Sequence, residues 1–395
     1  MKITFVAPRI ERDKFTGGTY CLLRHANELV SRGHDVSVVA YPKSVAPSWI
    51  DLKATLITPS PLKWPSRLKG MQAVVAMAGY SLDYLSHGYK GDYYPRATAH
   101  ALLPELLPDS DITVASVWES AALVAKYGKG KKAYFCQHYE PLFFDNPVDS
   151  SDAEATYSYG LTLIANSSWL QSRLNQRLRA TGAPSDTVHL ATNAIDPDNF
   201  NSAPGNRSQM QENARALRII SYGGRDAKWK GFLEMAMAVR AARALLPDVN
   251  LQWSVYGTSL LPPDNPITPY IALGLLDQNS LAAAYRQNDV LLSASWYESF
   301  PLFPIEAMAS GLAVITTAYG TEDYAVDGEN CLIVEPKNID SITQAIVRLA
   351  RDRLLLTRLA SSAMEVGGVH NWRQAGSRME EVLRSIAFPS SAQVA

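Results

Sequence analysis

The chain has 395 residues, 47 % of them hydrophobic, and a formal net charge of -1. That length suits two well-packed domains rather than one small core. The balanced charge excludes the strong basic excess of a nucleic-acid binder. Three dispersed cysteines, Cys21, Cys136 and Cys331, form neither a disulfide framework nor a metal spacing, a usage that points to a reducing cytoplasm. The opening "MKITFVAPRI" is too short an apolar run, and lacks a cleavage pattern, for a signal peptide. No stretch is long and apolar enough to span a bilayer, so the expected contact with a membrane is peripheral at most.

"KITFVAP" reads as a buried strand. After the loop "RIERDKFTGGTY", the segment "CLLRHANELVSRG" places Leu22, Leu23, Ala26, Leu29 and Val30 at helical spacing. "HDVSVVAYP" is the next strand. Strand, loop, helix and strand in that order imply a parallel sheet with crossover helices. Further strands are expected at "DITVAS", "KAYFCQHY" and "LTLIANS". The Asn-, Pro-, Ser- and Gly-rich stretch over 193–215 reads as an inter-domain hinge.

The pattern then restarts. "LRIISYGGR" is a strand, "KGFLEMAMAVRAARALL" a helix, "NLQWSVYG" a strand, "SLAAAYRQN" a helix, "DVLLSAS" a strand and "PIEAMASG" a helix. "LAVITTA" and "NCLIVEP" are short strands, and "IDSITQAIVRLARDRLLLTRLASSAMEVG" is one helical stretch. The fold class is α/β, with two doubly wound domains meeting across a cleft, over 1–192 and 216–371. Ligands of such sheets bind beyond the carboxyl ends of the strands.

Three stretches carry candidate chemistry. Gly17 and Gly18 precede the first helix and let backbone approach an anion, although an ordinary loop has the same composition. The dinucleotide fingerprint is absent there, which argues against a nicotinamide enzyme. Gly223 and Gly224 end a strand, with Arg225 and Lys230 bracketing the loop that follows. Both cations suit one diphosphate, and two solvated surface cations are the bland alternative.

The third stretch, "ESFPLFPIE", sets Glu298 and Glu306 around an apolar centre. Pro304 fits the first turn of a helix. Backbone N–H groups around Ser299, Phe300, Pro301, Leu302 and Phe303 would face a phosphate at that helix start. Carboxylates suit sugar hydroxyls through charge-strengthened hydrogen bonds. Two surface acids stabilised by the helix dipole are the alternative.

In this order the features resemble the retaining glycosyltransferases of family 4, which have the GT-B fold. The family's E-x7-E motif is matched by Glu298 to Glu306, and its G-R-x4-K-G pattern by Gly224 to Gly231. "ELVSRGHDVSVV" and "YGTEDYAVDGENCLIVEP" add to the likeness, which spans nearly the whole chain. The resemblance implies that two Rossmann-like domains face across a cleft. It places the acceptor on 1–192 and the donor on 216–371, and packs a C-terminal helix, about 372–390, back on the first domain. It implies that Arg225 and Lys230 grip the donor's diphosphate, with backbone near Ser299 to Phe303. Glu298 then reads the transferred sugar, Glu306 the ribose, and the segment around Leu275 the base. Gly17 and Gly18 let the first domain close on the phosphates.

The resemblance also puts a catalytic histidine at the end of "KAYFCQHYEPLFF". His138 is the candidate, and Gln137 the alternative, because members resembling bacterial rhamnosyltransferases carry "QDYEP" there. It implies no metal or other cofactor. "DPD", Asp196 to Asp198, falls in the hinge and reads as structural, so fixed cations and helix N–H groups stabilise the leaving group. The implied reaction is hexosyl transfer with retained configuration, to a glycan or lipid-linked glycan in bacterial polysaccharide synthesis. The donor is a nucleoside-diphosphate-sugar, dTDP-rhamnose first, with GDP- or UDP-sugars next. A sugar-nucleotide epimerase and a non-catalytic nucleotide-sugar binder are the competing readings.

The segment containing Lys63, Trp64, Arg67 and Lys69 reads as a peripheral contact with an anionic inner membrane or as an ordinary loop and helix. Tyr93, Tyr94, His100, Trp118 and Glu119 suit a sugar groove or core packing equally.

Overall fold

The structure, a computed structural model, describes residues 1–59, 102–182, 187–201, 216–224, 227–257 and 267–389. Arg225, the basic segment from Lys63 to Lys69, Tyr93, Tyr94 and His100 lie outside the described residues. The chain divides into two compact units. The first holds Met1–Asn166, Leu170–Thr192 and Ala375–Ala395, and the second Ser167–Trp169 and Asn193–Gln374.

The first unit is built on a parallel sheet of β1 (Lys2–Ala7), β2 (Asp35–Ala40), β3 (Thr55–Ile57), β4 (Ile112–Ala115), β5 (Lys131–Cys136), β6 (Thr162–Ala165) and β7 (His189–Leu190). Its order is β3-β2-β1-β4-β5-β6-β7. The second sheet holds β8 (Ala216–Tyr222), β9 (Asn250–Tyr256), β10 (Ile271–Gly274), β11 (Val290–Leu292), β12 (Ala313–Thr316) and β13 (Leu332–Ile333). Its order is β10-β9-β8-β11-β12-β13. Both are doubly wound, with the chain reversing direction across the sheet beside β1 and again beside β8.

Alternation explains why these strands form. In β8, Leu217 and Ile219 pack into one apolar cluster and Ile220 into the opposite one. In β11, Val290 and Leu292 face the first cluster and Leu291 the second. Strands apolar on both faces belong inside a parallel sheet covered by helices. Register pairs Val290 with Ile219 and Leu291 with Ile220.

Two helices differ from the sequence expectation. Gly17 and Gly18 are not in a preceding loop but open the helix Gly17–Ser31. The long C-terminal helical stretch is broken into Ile339–Arg351 and Arg353–Val369. Asp352 makes the break, and its carboxylate accepts the Leu355 N–H at 2.8 Å. The last helix, Trp372–Ala387, contributes Met379, Val382, Leu383 and Ile386 to the core formed by β1 and the first helix. Its Glu380 meets Arg32 at 3.5 Å and His34 at 3.0 Å. No helix among the described residues is long and apolar enough to cross a membrane.

Candidate active site

The order of the second sheet makes β8 and β11 neighbours, although Tyr222 and Val290 are far apart in sequence. The loops leaving their carboxyl ends therefore emerge side by side. One carries Gly224 and Lys230, the other Ser295 through Pro301. The Trp296 N–H donates to the Trp229 carbonyl at 2.7 Å and ties the two loops together. Gly231, at φ +70°, starts the helix Phe232–Leu245. A Cβ there would meet the Ala294 carbonyl oxygen at 2.2 Å, so the close approach of the loops requires glycine.

Lys230 Nζ forms an ion pair with Glu298 Oε1. Ser295 Oγ donates to the same oxygen at 3.1 Å. Glu298 is only 8 % exposed, and these two donors satisfy its Oε1. Lys230 Nζ also stands 5.5 Å from the Phe303 ring centroid. That ring stacks on Tyr222 at 5.0 Å and meets Tyr256 edge-on at 5.5 Å. The ammonium is thus held between a carboxylate and an aromatic face at the start of a helix.

That helix is Leu302–Ala309, and among the described residues no side chain caps its N-terminus. Its first-turn N–H groups are the kind an anion can meet. Pro301 immediately precedes it, and Phe300 is anchored against Tyr324 at 5.4 Å. The Tyr324 hydroxyl donates to the Pro301 carbonyl at 2.8 Å. Ser299 is buried. Gly224 sits against the Tyr222 ring, just past the end of β8. Leu275 follows β10 and is 73 % exposed.

Glu306 lies inside the helix, 4 % exposed. Its Oε2 is buried and has no hydrogen-bond partner among the described residues. Burial pushes its carboxyl up to about 8. The Tyr256 and Tyr285 hydroxyls, 3.0 Å from each other, lie in the same surroundings. Burial raises both, and the Glu306 charge adds to each. A buried acceptor without a donor suits a ligand hydroxyl.

In the first unit, Gln137 and His138 follow β5. His138 is half-buried against Phe143, with ring centroids 4.1 Å apart. Gln137 is the residue beside the glycine pair: a Cβ on Gly18 would lie 3.6 Å from Gln137 Oε1. That oxygen is buried and without a partner among the described residues. The "DPD" residues form a local turn, in which the Asp196 carboxylate accepts the Asp198 N–H at 3.2 Å.

Sequence reasoning missed Ser295 and the Trp229–Trp296 tie. A hydroxyl three residues before a carboxylate, as in "SASWYES", was a readable signal for the first. The second had none, because it depends on two distant loops meeting.

Residues 217–352 match the family described as "Glycosyl transferases group 1". The match takes in β8 from Leu217 onward, Lys230, Glu298 and Glu306. Over 301 residues the chain is 28 % identical to the O-antigen biosynthesis protein RfbC of Myxococcus xanthus, covering 72 % of this chain and 22 % of that protein. It spans less than two thirds of the length of the first curated relatives it matches, 22 %, 61 % and 39 % respectively.

Among solved structures, sucrose-phosphate synthase from Thermosynechococcus elongatus superposes with a TM-score of 0.69 at 18 % identity, covering 98 % of this chain and 100 % of that one. Anabaena HepE in complex with UDP-glucose superposes with a TM-score of 0.65 at 17 % identity, with the same coverage. The fold is GT-B, built from two Rossmann-like units.

Proposed function

We propose that the protein is a retaining glycosyltransferase that moves a sugar from a nucleoside-diphosphate-sugar to a glycan or lipid-linked glycan acceptor. One observation carries this reading. Lys230 and Glu298 are paired beside an uncapped helix start, with the unpartnered Oε2 of Glu306 further along that helix. One cation, one row of N–H groups and two carboxyls match one diphosphate and two sugars.

In this reading Lys230 and the N–H groups from Ser299 to Phe303 hold the diphosphate, joined by Gly224 and by Arg225. Glu298 accepts hydrogen bonds from the transferred sugar, and Lys230 passes from Glu298 toward the phosphates as donor enters. Glu306 accepts from the ribose hydroxyls, which favours its ionised form. Leu275 lies along the base. Gly17 and Gly18 let the first unit close on the phosphates, and either His138 or Gln137 serves the reacting sugar.

The acceptor hydroxyl oxygen bonds to the anomeric carbon on the face from which the diphosphate departs. The carbon–oxygen bond to phosphate breaks, and the acceptor proton passes to the leaving diphosphate. Lys230 and the helix N–H groups stabilise the developing charge, so the reaction runs without metal. A donor of the dTDP-rhamnose type comes first, then GDP- and UDP-sugars. The setting is polysaccharide synthesis in the cytoplasm, with peripheral contact at the inner membrane. The likeness to RfbC, an O-antigen biosynthesis protein, supports that setting.

Proton NMR of the product tests the reading, with these donors and a panel of surface-glycan acceptors. It predicts a new linkage with the donor's anomeric configuration. An inverted linkage contradicts retention. Epimerised donor without acceptor favours a sugar-nucleotide epimerase, and binding without turnover favours a nucleotide-sugar-binding protein.

A further inference from the structure

The first unit has a buried carboxyl of its own, Glu140, 8 % exposed and outside the residues assigned above. Its Oε2 accepts two hydrogen bonds from different elements. The Tyr134 hydroxyl of β5 donates at 2.5 Å, and the Trp118 N–H donates at 2.8 Å from the start of the helix Trp118–Tyr127. The Glu140 N–H donates to the Tyr157 hydroxyl at 3.2 Å, and that hydroxyl donates to the His138 carbonyl at 3.4 Å. Asn166 Nδ2 donates to the Gln137 carbonyl at 2.9 Å. The Tyr139 hydroxyl donates to Glu154 at 2.5 Å.

The rings of Tyr134, Tyr157 and Tyr139 form a stacked column, 5.9 Å and 5.5 Å between successive centroids. The Arg173 guanidinium lies 4.8 Å over Tyr139. All four residues of the Gln137–Glu140 loop are thus held by side chains or backbone from other parts of the unit. That is a heavy investment for a surface turn, which usually retains freedom.

We propose that Glu140 is a positioning residue for sugar transfer: its carboxyl clamps the Gln137–Glu140 loop onto the start of the helix Trp118–Tyr127 and so sets where Gln137 and His138 stand. This rests on the reading that one of those two residues meets the reacting sugar. The unpartnered Gln137 Oε1 beside Gly18 is the group the clamp would present.

Burial pushes the Glu140 carboxyl up to about 8, and nearby Glu119 adds to the rise, against the lowering by Tyr134 and Trp118. Tyr134, Cys136 and Tyr157 face the same carboxyl, and burial raises all three. Burial therefore favours the neutral carboxyl in the clamp. Its share of stability is present below the ordinary carboxyl value of 4.5 and is lost as the pH rises toward 8.

Full-length Glu140→Ala, Glu140→Gln and Tyr157→Phe proteins test this. Turnover of dTDP-rhamnose, GDP-mannose and UDP-glucose would be measured across pH, with the affinity for the matching free nucleotide. A reacting group displaced by about 1 Å can cost about 100-fold in rate. Glu140→Ala is therefore expected to lose roughly 10- to 100-fold in kcat with donor KM and nucleotide affinity unchanged. Glu140→Gln, which keeps the acceptor oxygen, restores most of kcat and removes the fall in wild-type kcat above pH about 8. Tyr157→Phe loses kcat in the same direction and reports on the loop even if the alanine variant does not fold.

Wild-type kcat in Glu140→Ala and Tyr157→Phe overturns the proposal, as does a loss that falls equally on nucleotide affinity. Wild-type protein that turns over none of the donors overturns the transferase reading first, and the inference with it.

Discussion

Lys230→Ala is expected to leave a folded protein whose donor turnover falls by about 100- to 1,000-fold, the loss typical when one fixed donor to a developing anion is removed. Three observations set that expectation. The ammonium is paired with Glu298, the Phe303 ring lies 5.5 Å away, and the helix Leu302–Ala309 begins beside it. These contacts hold the cation close to the helix start where the proposed phosphate would sit.

The fold should survive because Glu298 keeps Ser295 as a donor. Losing one partner of a charged hydrogen bond costs about 1–3 kcal/mol, small beside the apolar burial of the second unit. Lys230→Arg should recover only part of the rate, because a planar fork cannot occupy the place of a point charge between carboxylate and ring. Steady-state turnover with circular dichroism checks both variants. Wild-type turnover in folded Lys230→Ala removes the residue from the site.

Gly320→Ala should destabilise the second unit and weaken donor binding together. Gly320 has φ +78°, and a Cβ there would lie 2.5 Å from the Ser299 carbonyl oxygen and 2.7 Å from the Glu298 carbonyl carbon. The glycine thus backs the peptide that carries the Glu298 side chain. Left-handed backbone at a residue with a side chain costs about 1–3 kcal/mol, and here the Glu298–Ser299 peptide must also move. Gly328→Ala is the control, because Gly328 has φ +72° with nothing within 4 Å of the added Cβ. Both variants lower Tm through backbone strain, but only Gly320→Ala should lose nucleotide affinity. Equal affinity in the two would show that the turn at Gly320 does not support Glu298.

What the sequence made legible follows from periodicity. Leu217, Ile219 and Ile220 announce a strand buried on both faces, and Leu22 to Val30 a helix. Both signals are local, so the α/β class could be read directly, and the alternation of strand and helix implied the doubly wound sheets. Gly17 and Gly18 read as loop because glycine is a poor helix former, yet first-turn residues need little propensity when the rest of the helix is packed. The break at Asp352 was hidden because apolar spacing runs through it, while the cap depends on one side chain.

Within the site, Glu306 stood out as one carboxyl in the apolar run "LFPIEAMA". The supports did not stand out. Ser295, Gly320 and the Trp229–Trp296 tie depend on β8 and β11 being neighbours, which no local pattern states. Glu140 was passed over for a similar reason, since its partners come from β5 and from the start of a separate helix. The choice between His138 and Gln137 turns on one residue of register past a strand end, and the geometry places Gln137 beside Gly18.

The central claim is that the second unit holds a nucleoside-diphosphate-sugar on Lys230, Glu298 and Glu306. Calorimetric titration of the wild-type chain with UDP, dTDP, GDP and ADP and their common sugar conjugates, in the presence of a chelator, tests it most directly. Saturable binding selective for one base is expected. Folded wild-type protein that binds none of these nucleotides would contradict it.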